Sequence, residues 1–288
     1  MLRGRTERVA FVLSGGGNQG VSQVGMLRAL LERGIVPDVV VGSSAGALNG
    51  AAIAADPSIE TVDHLAEVWT TTESNTVFPE GRIARVWNVI QRGPSLFSAT
   101  GLSEVVERSR RAERFEELTI PLRVVATDLD SGAEVVLASG PLQPALLASA
   151  ALPGVFPPVE HDDRRLIDGG VVNNVPLWHA FSGPVDRVYV CNVSGELAER
   201  ATRSPLDVVM RAFTISRGQR HHLEVRHAPK GVEVVELPRP ADGRELFDFS
   251  GGEVLIDEAY RVASEFLDAE PTKRKRFPRL VRLRGRVA

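Results

Sequence analysis

Two apolar runs that end in glycine-rich turns constrain this chain more than any other feature. Residues 9–13, VAFVL, lead directly into Ser14-Gly15-Gly16-Gly17-Asn18-Gln19-Gly20, and residues 39–41, VVV, lead into Gly42-Ser43-Ser44-Ala45-Gly46. Each reads as a buried strand crossing to a helix, since short apolar runs bounded by glycine suit strands and Val21, Val24, Leu27, Leu30 and Leu31 then recur at helical spacing. The first turn has no Cβ to block approach, so its successive N–H groups can converge on an anion. It is a candidate oxyanion hole, with Gly15, Gly16 and Gly17 as donors and Gly20 opening the helix. The second turn fits Gly-x-Ser-x-Gly, in which small neighbours, here Gly42 and Gly46, let a serine occupy a tight, strained strand-to-helix elbow. Ser44 is central in that pentapeptide and is the candidate nucleophile; Ser43 is read as scaffold.

A nucleophilic serine needs a base. Asp168 ends the apolar run Leu166-Ile167 and starts the turn Gly169-Gly170, where a carboxylate can come close to a hydroxyl. Asp-Gly is also a common turn pair in which the side chain bonds its own backbone, and that plainer reading is taken for Asp128 and Asp130. The order glycine loop, Ser44, Asp168 resembles the patatin-like phospholipase family, and ATDLDSG at 126–132 and SAALPGVFPPV at 149–159 extend the resemblance over residues 8–265. The resemblance implies a three-layer α/β/α sandwich with a mostly parallel central sheet. It further implies a Ser44–Asp168 dyad without a catalytic histidine, the glycine-loop oxyanion hole, no cofactor, no metal and a fatty-acyl ester as substrate. One position departs from the family pattern: Gln19 stands where the loop usually has Arg or Lys before its last glycine. Loss of that cation bears on charged-headgroup preference and rate but leaves the backbone donors intact.

Other classes compete for the same residues. Gly15-x-Gly17-x-x-Gly20 after a strand also satisfies a dinucleotide-binding fingerprint, but that motif expects an acid at the end of the second strand, and Asp38 lies at its beginning. A histidine-dependent hydrolase would draw on His179, His221, His222 or His227, none of which sits in a recognisable catalytic turn. A catalytically weak lipid-binding or scaffolding protein is the third reading, motivated by Gln19. For catalysis, a carboxyl near its ordinary pKa of ~4 is a poor base, so burial of Asp168 in an apolar cleft is expected to raise it. Asn173 and Asn174 are expected to brace the turn that follows Asp168.

Strands and helices alternate along the rest of the chain, the pattern of a mostly parallel sheet covered on both faces. Helices are expected at 19–33, 44–55, 59–72, 102–112, from Pro141 to before Pro153, 205–227 and 252–267, with strands in LRVVAT, AEVVLAS, RVYVCNV and VEVVEL; the proline-rich stretch 152–159 is read as a loop. One domain spans residues 8–270, and residues 73–100 are a candidate cap, with Phe78, Val86, Trp87, Val89, Ile90, Leu96 and Phe97 available to line an acyl groove. The one cysteine, Cys191, excludes an internal disulfide and reads as a buried thiol. No run approaches the roughly 18 apolar residues of a membrane span, so a cytoplasmic protein is expected. Net charge is unevenly spread. Residues 272–288 hold eight Lys or Arg and no acid, leaving 26 basic against 37 acidic residues elsewhere, a net of −11. That tail, 271–288, suits either peripheral contact with an anionic membrane or a solvated terminus that packs Leu280, Val281 and Leu283 on the body and balances its acids; nucleic acid is not expected, because the acidic body repels phosphate.

Overall fold

Strand β1 (Val9–Leu13) runs through the middle of an eight-stranded mixed sheet. The computed structural model describes residues 7–72, 99–194, 220–240 and 248–269 and the single positions 77, 208, 212 and 215. After β1 the chain makes a 3-10 turn over Gly17–Gly20 and enters α1 (Val21–Glu32), so the expected helix at 19–33 is preceded by a tighter turn. It then forms β2 (Val39–Ser43), α2 (Ala45–Ala55), α3 (Ile59–Thr71) and α4 (Thr100–Ser109). Next come β3 (Leu122–Asp128), β4 (Glu134–Leu137), α5 (Leu142–Ala150), β5 (Val159–His161) and β6 (Arg164–Asp168). β7 (Arg187–Cys191), a helical stretch over 220–226, β8 (Glu233–Glu236) and α6 (Gly252–Ala269) complete the described chain.

The sheet is parallel where β3, β2, β1, β7 and β8 lie side by side, and antiparallel where β3 meets β4 and β6 and where β6 meets β5. β1 shows why its run is apolar throughout. Phe11 and Leu13 enter a cluster with Leu27, Ile53, Leu65, Val106, Leu146 and Ile256 from six helices, whereas Ala10 and Val12 enter a second cluster with Val188, Val190, Leu177 and Ala180. Successive side chains alternate between faces, so a strand buried on both sides needs apolar residues at every position.

The hairpin β5–β6 is the principal departure from the sequence reading. Its turn places Asp162 and Asp163 at φ 48° and 59°, a left-handed conformation for which aspartate is tolerated. Residues 152–158 are turn and coil, as expected of the proline-rich stretch; the first strand of the hairpin begins at Val159, and β6 delivers Asp168. Of the candidate cap, its named groove residues lie outside the described residues, as does the basic tail. Residues 208, 212, 215 and 220–226 are helical, within the helix expected at 205–227; the rest of that span also lies outside.

Candidate active site

The site exists because two strands end at neighbouring positions on a third. Ser43, the last residue of β2, pairs with Val125 of β3, and Asp168, the last residue of β6, pairs with Ala126. One residue past β2, the backbone of Ser44 takes φ 54° and ψ −126°, an elbow that a non-glycine residue occupies only under strain. There Ser44 Oγ donates to Asp168 Oδ2 at 2.7 Å. Both groups are buried, Ser44 at 9% and Asp168 at 3% exposure. The Asp168 carboxylate is oriented by its own turn, where the Gly170 N–H donates to Oδ1 at 2.7 Å, and its backbone is held by Ala151 O and the Thr127 hydroxyl. A Cβ on Gly169 would stand 2.1 Å from Val125 O, so only glycine lets this turn press against β3.

The flanking glycines of the elbow serve contact. A Cβ at Gly42 would meet Gly46 O at 2.5 Å, one at Gly46 would meet Leu13 O at 2.3 Å, and one at Gly20 would meet Ala45 Cβ at 2.7 Å. α2 therefore rests directly on the ends of β1 and β2. Ser149 on α5 adds a bond that sequence reasoning did not assign: its hydroxyl accepts from the Ser44 N–H at 2.9 Å and donates to Val125 O at 2.6 Å. A lone serine amid Leu146, Leu147, Ala148 and Ala150 was the available signal, since such a residue in a buried helix must find partners.

Within the glycine loop the three expected donors divide. The Gly15 N–H donates to Asn174 O at 2.9 Å, and Asn174 Nδ2 donates to Gly15 O at 3.1 Å, so the amide of Gly15 is engaged. The N–H groups of Gly16 and Gly17 have no partner among the described residues, and Gly17, at φ 57°, is solvent-exposed. A buried chain supports the loop from below. Gln23 Nε2 donates to Ser14 O and Cys191 O; Asn49 Nδ2 donates to Gln23 Oε1 and Gly20 O; Trp69 Nε1 donates to Asn49 Oδ1. Cys191 itself is fully buried, and desolvation pushes its thiol up to about 12.

Three of the four histidines after Asp168 are engaged elsewhere, and the fourth, His222, is exposed beside the ring of His221. His179 bonds Glu134, His221 bonds Glu236, and His227 bonds the carbonyl of Leu223 within its own helical turn. Asp128 caps its own turn through the N–H groups of Asp130 and Ser131, and Asp130 pairs with Arg165, as the plainer reading of those aspartates expects. Glu134 sits among charged partners. Burial acts to raise its carboxyl, but bonds from His179, Asn173 and Arg220 outweigh it and hold the group down to about 2.

A doubly wound α/β/α sheet that presents a serine elbow against a buried carboxylate defines the class of protein. Residues 11–181 match the family model described as patatin-like phospholipase, and the chain belongs to that family. Among curated relatives, it is 34% identical over 170 residues to patatin-like phospholipase domain-containing protein 7 of Rattus norvegicus, covering 58% of this chain and 12% of the rat protein. It is 34% identical over 191 residues to an NTE family protein of Mycobacterium tuberculosis, covering 66% of this chain and 50% of that one. The chain thus spans from about an eighth to half of the length of these relatives. Among solved structures it is similar to VipD from Legionella pneumophila, with a TM-score of 0.47, 13% identity and coverage of 91% of this chain and 67% of that chain.

Proposed function

We propose that the protein is a serine acyl hydrolase that cleaves fatty-acyl esters of the phospholipid or lysophospholipid type. The bond from Ser44 Oγ to Asp168 Oδ2, made at a strained elbow, carries this reading, and membership of the patatin-like phospholipase family supports it. In the first half-reaction Asp168 takes the proton of Ser44 as Oγ attacks the acyl carbonyl, forming a C–O bond and an oxyanion. The amides of Gly16 and Gly17 donate to that oxyanion. Collapse breaks the ester C–O bond, the alcohol leaves with the proton held by Asp168, and Ser44 is acylated. Water then attacks the acyl-enzyme, giving its proton to Asp168, and the fatty acid departs as Oγ is reprotonated. Because Gly15 spends its N–H on Asn174, the proposed hole has two donors from this loop.

Reaction of the full chain with a fluorophosphonate probe tests this directly. Wild type is expected to be labelled covalently and Ser44→Ala not at all, with Ser43→Ala still labelled. Equal labelling of Ser44→Ala would end the proposal. We further infer that residues 272–288 draw the protein to anionic lipid surfaces, motivated by eight positive side chains beside a body of net −11. No helix among the described residues is long and apolar enough to cross a membrane, so contact of this kind is peripheral in the proposed reading.

A further inference from the structure

Behind the turn that follows Asp168 lies a second set of charged side chains that acyl transfer does not use. Glu134 comes from β4, His179 from the 3-10 turn over Leu177–Ser182, and Arg220 and Glu224 from the helical stretch 220–226. Glu134 Oε1 accepts from His179 Nε2 at 2.6 Å and from Asn173 Nδ2 at 2.8 Å, while its Oε2 pairs with Arg220 at 2.5 Å. Arg220 spreads its fork further: Nε donates to Glu224 Oε1 at 2.9 Å and Nη1 to the Val172 carbonyl at 2.9 Å. Glu224 in turn accepts from the Trp178 N–H at 3.2 Å. Residues 172–179 are therefore tied at four positions to this one cluster.

The two adjacent asparagines show what the ties accomplish. Asn173 faces Glu134, whereas Asn174 faces the glycine loop and exchanges two bonds with Gly15. Between them and Asp168 the chain is one tight turn, in which the N–H groups of Val172 and Asn173 both donate to Gly169 O and the Gly170 N–H orients the carboxylate. A shift of Val172 or Asn173 is thus passed to the base on one side and to the proposed oxyanion loop on the other. As a source of stability alone, a half-buried cluster of two carboxylates and a guanidinium is a poor solution, since apolar residues of similar volume commonly do as well. What the planar, multidentate arginine supplies is a fixed geometry.

We propose that Glu134 and Arg220 are positioning residues for the reaction, holding the turn 169–174 so that Asp168 and the glycine loop keep their placement around Ser44. The inference rests on the Ser44–Asp168 reading above. A misplacement on the order of 1 Å at a reacting group costs about 10²-fold in rate, so loosening this turn is expected to act on turnover more than on substrate binding.

The test uses the full chain and hydrolysis of a soluble short-chain p-nitrophenyl ester well below the melting temperature. Glu134→Gln and Arg220→Met are expected to lower kcat by roughly 10- to 100-fold with KM within about twofold, and to slow fluorophosphonate labelling in parallel. The double variant is expected to lose no more than the worse single one, because both changes release the same turn. Arg220→Lys keeps the charge but not the fork; it guards against a misfolded Met variant and is expected to recover only part of kcat. Wild-type kcat in folded Glu134→Gln and Arg220→Lys, with lowered melting temperatures alone, would assign the cluster to stability and overturn the proposal. Ser44→Ala measured alongside separates the two readings: its retained turnover would overturn the dyad, whereas a dead Ser44→Ala beside unaffected cluster variants overturns only the positioning role.

Discussion

At Asp168 the carboxylate oxygens are divided between two tasks: Oδ2 accepts from the serine hydroxyl and Oδ1 from the Gly170 amide. An amide side chain of the same shape can keep one of these bonds but cannot take a proton. Asp168→Asn is therefore expected to fold as wild type and to lower kcat/KM for a p-nitrophenyl acyl ester by about 10² to 10⁴-fold, the range assigned to general base catalysis. His221→Ala is expected to keep wild-type turnover, because that ring bonds Glu236, and His179→Ala to lose no more than Glu134→Gln, because its ring acts on Glu134; a mild Asp168→Asn beside a severe His221→Ala would reverse the assignment. The turns that bring Ser44 and Asp168 together were legible in the sequence because their glycines announce a close approach. The engagement of Gly15 was not legible. Its partner Asn174 is 159 residues away, and only the register of the sheet brings the two together.

Elements were legible where one period dominated. The helices α1, α3 and α6 follow apolar spacing, α2 is a small-residue helix buried on all sides, and all four end within a few residues of expectation. β5 and β6 were not, because a three-residue strand after prolines and the charged turn His161-Asp162-Asp163-Arg164 carry no glycine or alternation to announce a hairpin. α1 and α6 touch at a point where sequence spacing is equally silent: a Cβ on Gly25 would lie 2.2 Å from Ile256 O and 2.6 Å from Tyr260 N. Backbone cannot yield as a side chain can, so Gly25→Val is expected to force the helices apart and destabilise the fold by roughly 3 kcal/mol or more, read from the urea midpoint. An unchanged midpoint would mean that α6 is not packed as described. The cluster around Glu134 makes a second prediction, in pH. Its carboxyl is held at about 2 in the folded protein against an ordinary 4.5, so its contribution to stability is present above 4.5 and is lost as pH falls toward 2. Glu134→Gln is expected to flatten the decline of stability across that window and to be less stable than wild type at neutral pH; an identical acid-side slope for both proteins would contradict it.

Across the whole molecule the charges are segregated in a way that composition conceals. A net of −3 combines a body of −11 with a terminal segment whose eight positive charges include no acid. An anionic bilayer repels the first and attracts the second, at roughly 1 kcal/mol per basic residue close to the surface. Exposed charges of this kind are screened over a Debye length of about 8 Å at physiological ionic strength, so tail-driven binding should weaken steeply with salt. The proposed chemistry at Ser44 lies in a buried site and does not share that dependence. Deleting residues 272–288 is therefore expected to abolish salt-sensitive cosedimentation with phosphatidylserine-containing vesicles while leaving hydrolysis of a soluble short-chain ester within about twofold of wild type. The two readouts separate attraction from catalysis. If the truncated protein binds the vesicles as tightly as the full chain, the tail does not recruit it; if ester hydrolysis falls together with binding, the segment contributes to the folded body and the electrostatic account is wrong.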